Sequence, residues 1–319
     1  MMKLKSGRTL YYGKGDVMTY RTCAKPLETA PVPESRYTGC DNVIFAHNVL
    51  FSVSGESLLS SFTQGDNSLV VATDSMKNFI LRETAAYEGA TTEGLLHFIA
   101  ERFFAKYPHI TSIEISGDRI PFLPVDVPGP EGLQPSGLVY RRSHNDHASA
   151  LLSLSRTEDG CEVTEHRSVL SGLQLIKVSG SSFYGFVRDE YTTLPDSYDR
   201  PLFIFLDIIW RYNDVKDALD SGNGAYVAAE QISDIAHAVF HEFNTPSIQY
   251  LIYQIGLRLL ARYPQLAEVG FESNNRTWET VVDPAEELKP GVFTEPRPPY
   301  GFQGFTMTRE DLISEGEQS

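Results

Sequence analysis

The sequence predicts an α+β fold made of two tandem copies of one unit, each an antiparallel sheet carrying a pair of helices on one face. Three observations carry this. The segment Phe104-Ala105-Lys106-Tyr107-Pro108-His109-Ile110 matches Leu260-Ala261-Arg262-Tyr263-Pro264-Gln265-Leu266 position by position, with an offset of 156 residues from Pro108 to Pro264. Ahead of each match, apolar residues recur at the i, i+3, i+4 spacing of two successive helices, and before those helices they alternate with period two, as strands do. A unit of strands, two helices and strands, repeated once, sets its helices together on one face of an antiparallel sheet. A chain of 319 residues has room for two such units, divided here as 1–143 and 144–319.

In the first unit, Tyr11 to Thr22 reads as a strand with Gly13 and Gly15 near its start. Asn42 to Val53 reads as a second, with Val43, Phe45, Val49, Phe51 and Val53 on one face and His47 among them as a half-buried, hydrogen-bonded histidine. A short strand is expected near Ser68 to Ala72, leading into Thr73-Asp74-Ser75, where Thr73 or Asp74 would cap a helix. Helical spacing covers Met76 to Tyr87, then Thr92 to Tyr107, where Leu95, Phe98, Ile99 and Phe103 share a face and Pro108 ends the run. Ile110 to Ile120 follows as a strand. The stretch from Pro124 to Gly137, rich in proline and glycine, reads as a surface loop, and strands resume at Leu138.

In the second unit, strands are expected at Ala148 to Leu154, Glu165 to Val178 and Pro201 to Tyr212. A helix then aligns Ile232, Ile235, Ala236, Val239 and Phe243. The next takes Pro246 into its first turn, sets Ile248, Leu251, Ile252, Ile255 and Leu259 on one face, and stops at Pro264.

Composition narrows the function. A net charge of -15, with no clustered basic surface, argues against nucleic acid as a partner, so an anionic ligand would need local cations. Cys23, Cys40 and Cys161 are odd in number and widely spaced, which indicates neither a disulfide framework nor a zinc knuckle. The start, MMKLKSGRTL, has no apolar signal core, no stretch approaches the ~20 apolar residues of a membrane span, and SEGEQS is not a peroxisomal address. The expectation is a cytoplasmic protein with no membrane partner. His237 and His241 stand at helical spacing, but HAVFH lacks the glutamate of a zinc-protease helix, and no GxGxxG, P-loop or haem motif is present. Neither a metal nor a cofactor is expected.

One window stands apart, Ser181 to Arg200, reading SSFYGFVRDEYTTLPDSYDR. It combines aromatics, a turn signal at Pro195 to Asp199, and an arginine placed where the strand PLFIFLDIIW begins. A planar guanidinium at a strand end suits a planar anion. This window resembles the signature of the urate oxidases (uricases), as do Tyr12-Gly13-Lys14 and Val70-Val71-Ala72-Thr73-Asp74-Ser75. The resemblance runs from about Tyr11 to Thr308.

That resemblance implies two tandem tunnelling-fold domains, with sheets from several subunits closing into a barrel and helices outside, in a homotetramer whose active sites lie between subunits. It implies cofactor-free oxidation of urate by dioxygen to 5-hydroxyisourate and hydrogen peroxide. Arg200 and Gln249 would grip the purine, Phe183 would stack on it, and Ile248 and Asp74 would bind it through their backbones. Lys14 and Thr73, from a neighbouring subunit, would move protons: a lysine stripped of water acts as a base, and a threonine hydroxyl relays a proton either way. Asn275 would stand near oxygen or water. Many family members carry a histidine two positions after this asparagine; here the residue is Thr277. Taken alone, these residues also read as a salt-bridged arginine, a core phenylalanine, a surface lysine, a helix cap, a solvated helix start and a turn asparagine. Two other functions fit the same repeat: a tunnelling-fold enzyme acting on pterins, and a non-catalytic purine-binding scaffold.

Overall fold

Strict alternation along Leu202–Tyr212 buries Leu202, Ile204, Leu206, Ile208, Trp210 and Tyr212 and leaves the residues between them half-buried. One side of this strand therefore belongs to a core and the other to a second surface, the pattern of a sheet covered on one face. The computed structural model describes residues 3–129, 132–142, 146–276, 280–282, 292–293 and 298–316.

The long strands are β1 (Tyr12–Thr22), β2 (Ile44–Ser54), β3 (Ser112–Arg119), the hairpin β4 (Phe122–Gly129) and β5 (Gly132–Arg142), then β6 (His147–Thr157), β7 (Gly160–Lys177), β8 (Leu202–Tyr212), β9 (Leu266–Arg276) and β10 (Tyr300–Thr308). All but the hairpin form one continuous antiparallel sheet in the order β1-β2-β3-β6-β7-β8-β9-β10. The helices are α1 (Thr73–Ala86), α2 (Thr92–Lys106), α3 (Ala229–Glu242), α4 (Ile248–Arg262) and α5 (Arg309–Gly316). An offset of 156 carries the bounds of α1 onto α3 and those of α2 onto α4, so the repeat read from the Pro108 and Pro264 segments extends through both helix pairs. Each pair covers its own half of the sheet: Ile80, Leu95 and Ile99 pack with Phe45 and Phe51, while Ile232, Val239 and Ile255 pack with Ile204 and Trp210. The same offset carries β6 towards β10, the strand at the far edge of the sheet.

Five local expectations are corrected. Ser68 to Ala72 is a turn and an extended link, not a strand: Asp66 Oδ1 accepts from the Ser68 amide, and the Val71 amide donates to the Tyr12 hydroxyl instead of to a neighbouring strand. The cap of α1 is Ala72, which puts Thr73 and Asp74 inside the first turn. Pro124 to Gly137 is largely a hairpin, because a two-stranded ribbon leaves each strand an outer edge where proline's missing N–H costs nothing; Pro128 pairs with Leu133 and Pro135 with Asp126. Pro246 likewise lies outside α4, since Ser247 is the cap and its hydroxyl accepts from the Tyr250 amide at 3.1 Å. His47 is fully buried rather than half-buried, with Nε2 3.0 Å from the Thr92 hydroxyl.

The seam between the halves holds a buried carboxyl. Glu93, in the first turn of α2, accepts hydrogen bonds from the Ser168 hydroxyl of β7 and from the Tyr226 hydroxyl, and burial raises its pKa while those two bonds and Arg119 act the other way. A raised carboxyl pKa in the folded state means that the stabilising form is the protonated one. Its contribution is complete below the unfolded carboxyl pKa and fades as pH rises through the folded value. Glu93→Gln should therefore leave the urea midpoint unchanged near pH 4 and raise it increasingly towards pH 8; a pH-independent difference would refute burial as the cause.

Candidate active site

Three backbone hydrogen bonds decide where the window Ser181 to Arg200 lies. The Ser182 amide donates to the Thr245 carbonyl at 2.8 Å, the Thr245 amide to the Gly180 carbonyl at 2.9 Å, and the Arg200 amide to the Ser181 carbonyl at 2.8 Å. Thr245 belongs to the connection that enters α4, so the window is strapped against the N-terminus of that helix. Phe183 and Ser197 exchange backbone bonds of 2.7 and 2.9 Å, closing the window into a loop. Gly180 and Gly185 turn it with φ of 78° and 74°, a region that glycine enters freely.

The result is a cavity of about 150 Å³ lined by Phe183, Arg200, Ile248, Gln249, Asn275 and Gln303, among others. This is small beside the ~300–1,000 Å³ of pockets for drug-sized ligands, and it suits one flat ring. Five of the eight residues singled out in the sequence meet here. Ile248 and Gln249 open α4, where backbone amides have no acceptor within the helix and favour a bound anion. The Arg200 guanidinium lies 5.4 Å from the centre of the Phe183 ring, and Phe186 stacks on that ring at 5.0 Å with the planes 12° apart.

Arg200 is the cation of this cavity. Its Nε is buried without a hydrogen bond, and among the described residues no carboxylate pairs with it. Asp196 is taken by Arg188 at 3.0 Å, and Asp189 closes its own turn onto the Tyr191 amide. Burial lowers the Arg200 pKa below the ordinary guanidinium value, a sign of a desolvated cation that an anion would relieve.

The remaining three residues lie elsewhere. Lys14 is on β1, the sheet edge, with a bulge following it at Gly15 and Asp16; Asp16 has a φ of 53°. A Cβ at Gly13 would collide with the Phe51 carbonyl, so glycine is required beside Lys14. The Tyr12 to Val71 bond brings Thr73 and Asp74 to the same end of the sheet. Lys77 holds the Asp74 pKa down through a 2.6 Å contact, and Lys14 is close enough to add to that effect. This group is six strands from Asn275, or roughly 30 Å along the sheet at ~4.8 Å per strand. Because β1 and β9 run in the same direction, with Lys14 near the start of one and Asn275 near the end of the other, the two groups also occupy opposite ends. One chain does not unite them.

Thr277 lies outside the described residues. Among the described residues no three metal-binding side chains cluster, and no helix is long and apolar enough to cross a membrane. Sequence reasoning missed Gln303, which lines the cavity beside Asn275. Only the β9–β10 register reveals it, by pairing Ser273 with Gln303 and Asn275 with Gly301.

A family model described as Uricase matches residues 36–151 and 166–303. The uric acid degradation bifunctional protein PucL of Bacillus subtilis (strain 168) is 51% identical over 313 residues, covering 98% of this chain but 63% of that protein, so the chain spans just under two thirds of this relative. The uricase of Haloferax volcanii is 50% identical over 94% of this chain and 98% of its own length. The crystal structure of a uricase from Bacillus fastidious superposes with a TM-score of 0.93 at 52% identity, covering 97% of this chain and 96% of that one.

Proposed function

The chain belongs to the uricase family, and from that premise we propose that it oxidises urate with dioxygen and water to 5-hydroxyisourate and hydrogen peroxide. The observation that carries the reading is the partly desolvated Arg200, without a carboxylate partner among the described residues, facing the start of α4 across a cavity walled by Phe183. A guanidinium offers parallel donors to the oxygen and nitrogen of a flat anion, and the Gln249 amide both donates and accepts. Phe183 supplies the stacking surface, for which base–aromatic stacks suggest roughly 1–3 kcal/mol. The Ile248 amide adds a donor at the helix start.

The ionised purine gives up two electrons, dioxygen takes them and becomes peroxide, and a water oxygen ends on the purine carbon. In this reading the substrate is its own reductant, so no flavin or metal carries the electrons. The protein aligns the partners, stabilises charge and moves protons. Lys14 and Thr73 take the proton-transfer role, with Asp74 binding substrate through its backbone.

Because Lys14, Thr73 and Asp74 are remote from Arg200 within one chain, the reading requires a second copy to complete each site. The sheet itself favours association. Its outer strands β1 and β10 run in opposite directions, with outer edges that no described strand covers, so β10 of one copy can pair antiparallel with β1 of another and close a ring. We propose the homotetramer of the tunnelling fold. Three free cysteines suit a reducing aqueous compartment, the cytoplasm.

The direct test mixes metal-stripped protein with urate while recording oxygen uptake and peroxide release. Equal consumption of oxygen and formation of peroxide is the expected result. Urate binding without oxygen uptake would instead favour a purine-binding scaffold.

A further inference from the structure

Gln303 is a polar cavity residue to which the proposed reaction has so far given no task. It stands on β10 opposite Ser273 of β9 and diagonally from Asn275, the arrangement in which side chains of neighbouring strands meet. The Ser273 hydroxyl donates to Gln303 Oε1 at 2.9 Å, and Gln303 Nε2 in turn donates to Asn275 Oδ1 at 3.4 Å. Ser273 is buried, so its hydroxyl is held to this bond. Gly301, which faces Asn275, gives the carboxamide room: a Cβ there would lie 3.0 Å from Oδ1.

This chain has a direction. With Oδ1 taken by Gln303, the atom that Asn275 has left for the cavity is Nδ2, a donor. We propose that Gln303 is a positioning residue that holds the Asn275 carboxamide with its N–H aimed into the cavity, at the reduced oxygen formed beside the purine.

The inference rests on the urate-oxidising reading. Dioxygen that accepts two electrons carries negative charge until two protons reach it, and a fixed N–H stabilises that charge. A carboxamide turned the other way presents an oxygen and repels it. The donor helps only after electrons have moved, so it acts on turnover and leaves purine affinity alone.

The test compares Gln303→Leu, Asn275→Ala and the double variant. Gln303→Leu should lower kcat about tenfold, while the dissociation constant of a non-oxidisable xanthine analogue stays at the wild-type value. The double variant should be no slower than Asn275→Ala, because Gln303 acts through Asn275. Gln303→Glu keeps the acceptor for Ser273 but sets an oxygen against Asn275, which turns the carboxamide around; it should be slower than Gln303→Leu, and it serves if the leucine variant fails to fold. Wild-type kcat in either variant, weakened binding of the xanthine analogue with unchanged kcat, or additive losses in the double variant would overturn the role of Gln303. Wild-type protein that releases no peroxide from urate would instead overturn the reaction itself.

Discussion

Arg200→Ala should lower kcat/KM for urate by about 10- to 150-fold, the kinetic equivalent of the ~1.5–3 kcal/mol of a charge-assisted hydrogen bond. The guanidinium is set in place before any ligand arrives. Its backbone amide is tied to Ser181, its plane lies near the Phe183 ring, and it has no carboxylate partner among the described residues. The cost of its desolvation has therefore already been met by the fold, and a bound anion gains the full interaction. Much of the loss should appear in KM, because the grip acts on bound urate as well as on the transition state. Arg200→Lys should recover only part of it, since an ammonium cannot offer two parallel donors. Removing a half-buried cation that has no carboxylate partner among the described residues should not lower the thermal midpoint of the ligand-free protein, which separates a binding role from a structural one. Steady-state kinetics unchanged by Arg200→Ala would remove this residue from the site.

The fold was legible where local chemistry and long-range packing agree. Pro108 and Pro264 end helices whatever surrounds them, and the alternation along Pro201 to Tyr212 reports one buried face, so the repeat and its central strands follow from the residues alone. Misreadings came where a tertiary partner settled a backbone group. The Val71 amide went to a tyrosine hydroxyl 59 positions away, and the prolines of the 122–142 ribbon were tolerated on outer edges that no local rule reveals. The continuous sheet was not legible either, because pairing of β6 with β7 is a matter of register rather than composition.

The candidate cavity was legible in Arg200 and Phe183, which belong to one recognisable window, but only the strap through Thr245 explains why that window and the helix start at Gln249 share one cavity. Gln303 was silent in sequence because its meaning depends on the strand beside it. The 156-residue offset adds a contrast: it lays Glu93 over Gln249, and the first unit's position is covered by Ser168 and Tyr226 of the second unit rather than left open. One unit keeps a cavity at the start of its second helix and the other closes it. In the proposed reaction a second chain, not the first unit of the same chain, finishes the remaining site.

Lys14→Met should leave binding of a non-oxidisable xanthine analogue intact and lower turnover by about 10²- to 10⁴-fold, the range of general acid–base catalysis. Methionine matches the length of lysine and keeps the β1 packing, so the change removes an ammonium and little else. A stronger prediction follows from the distance between Lys14 and Arg200. If each site takes Arg200 from one chain and Lys14 from another, Lys14→Met and Arg200→Ala proteins are each impaired at every site. Hybrids of the two differ. The Lys14→Met chain still supplies Arg200, the Arg200→Ala chain still supplies Lys14, and one site of each mixed pair is intact. Random assembly after co-expression should restore about a quarter of the wild-type activity, since half of the pairs are mixed and each mixed pair holds one intact site of two. Hybrids no more active than the two parents would mean that both residues serve within one chain or that Lys14 takes no part, and the shared site would have to be abandoned.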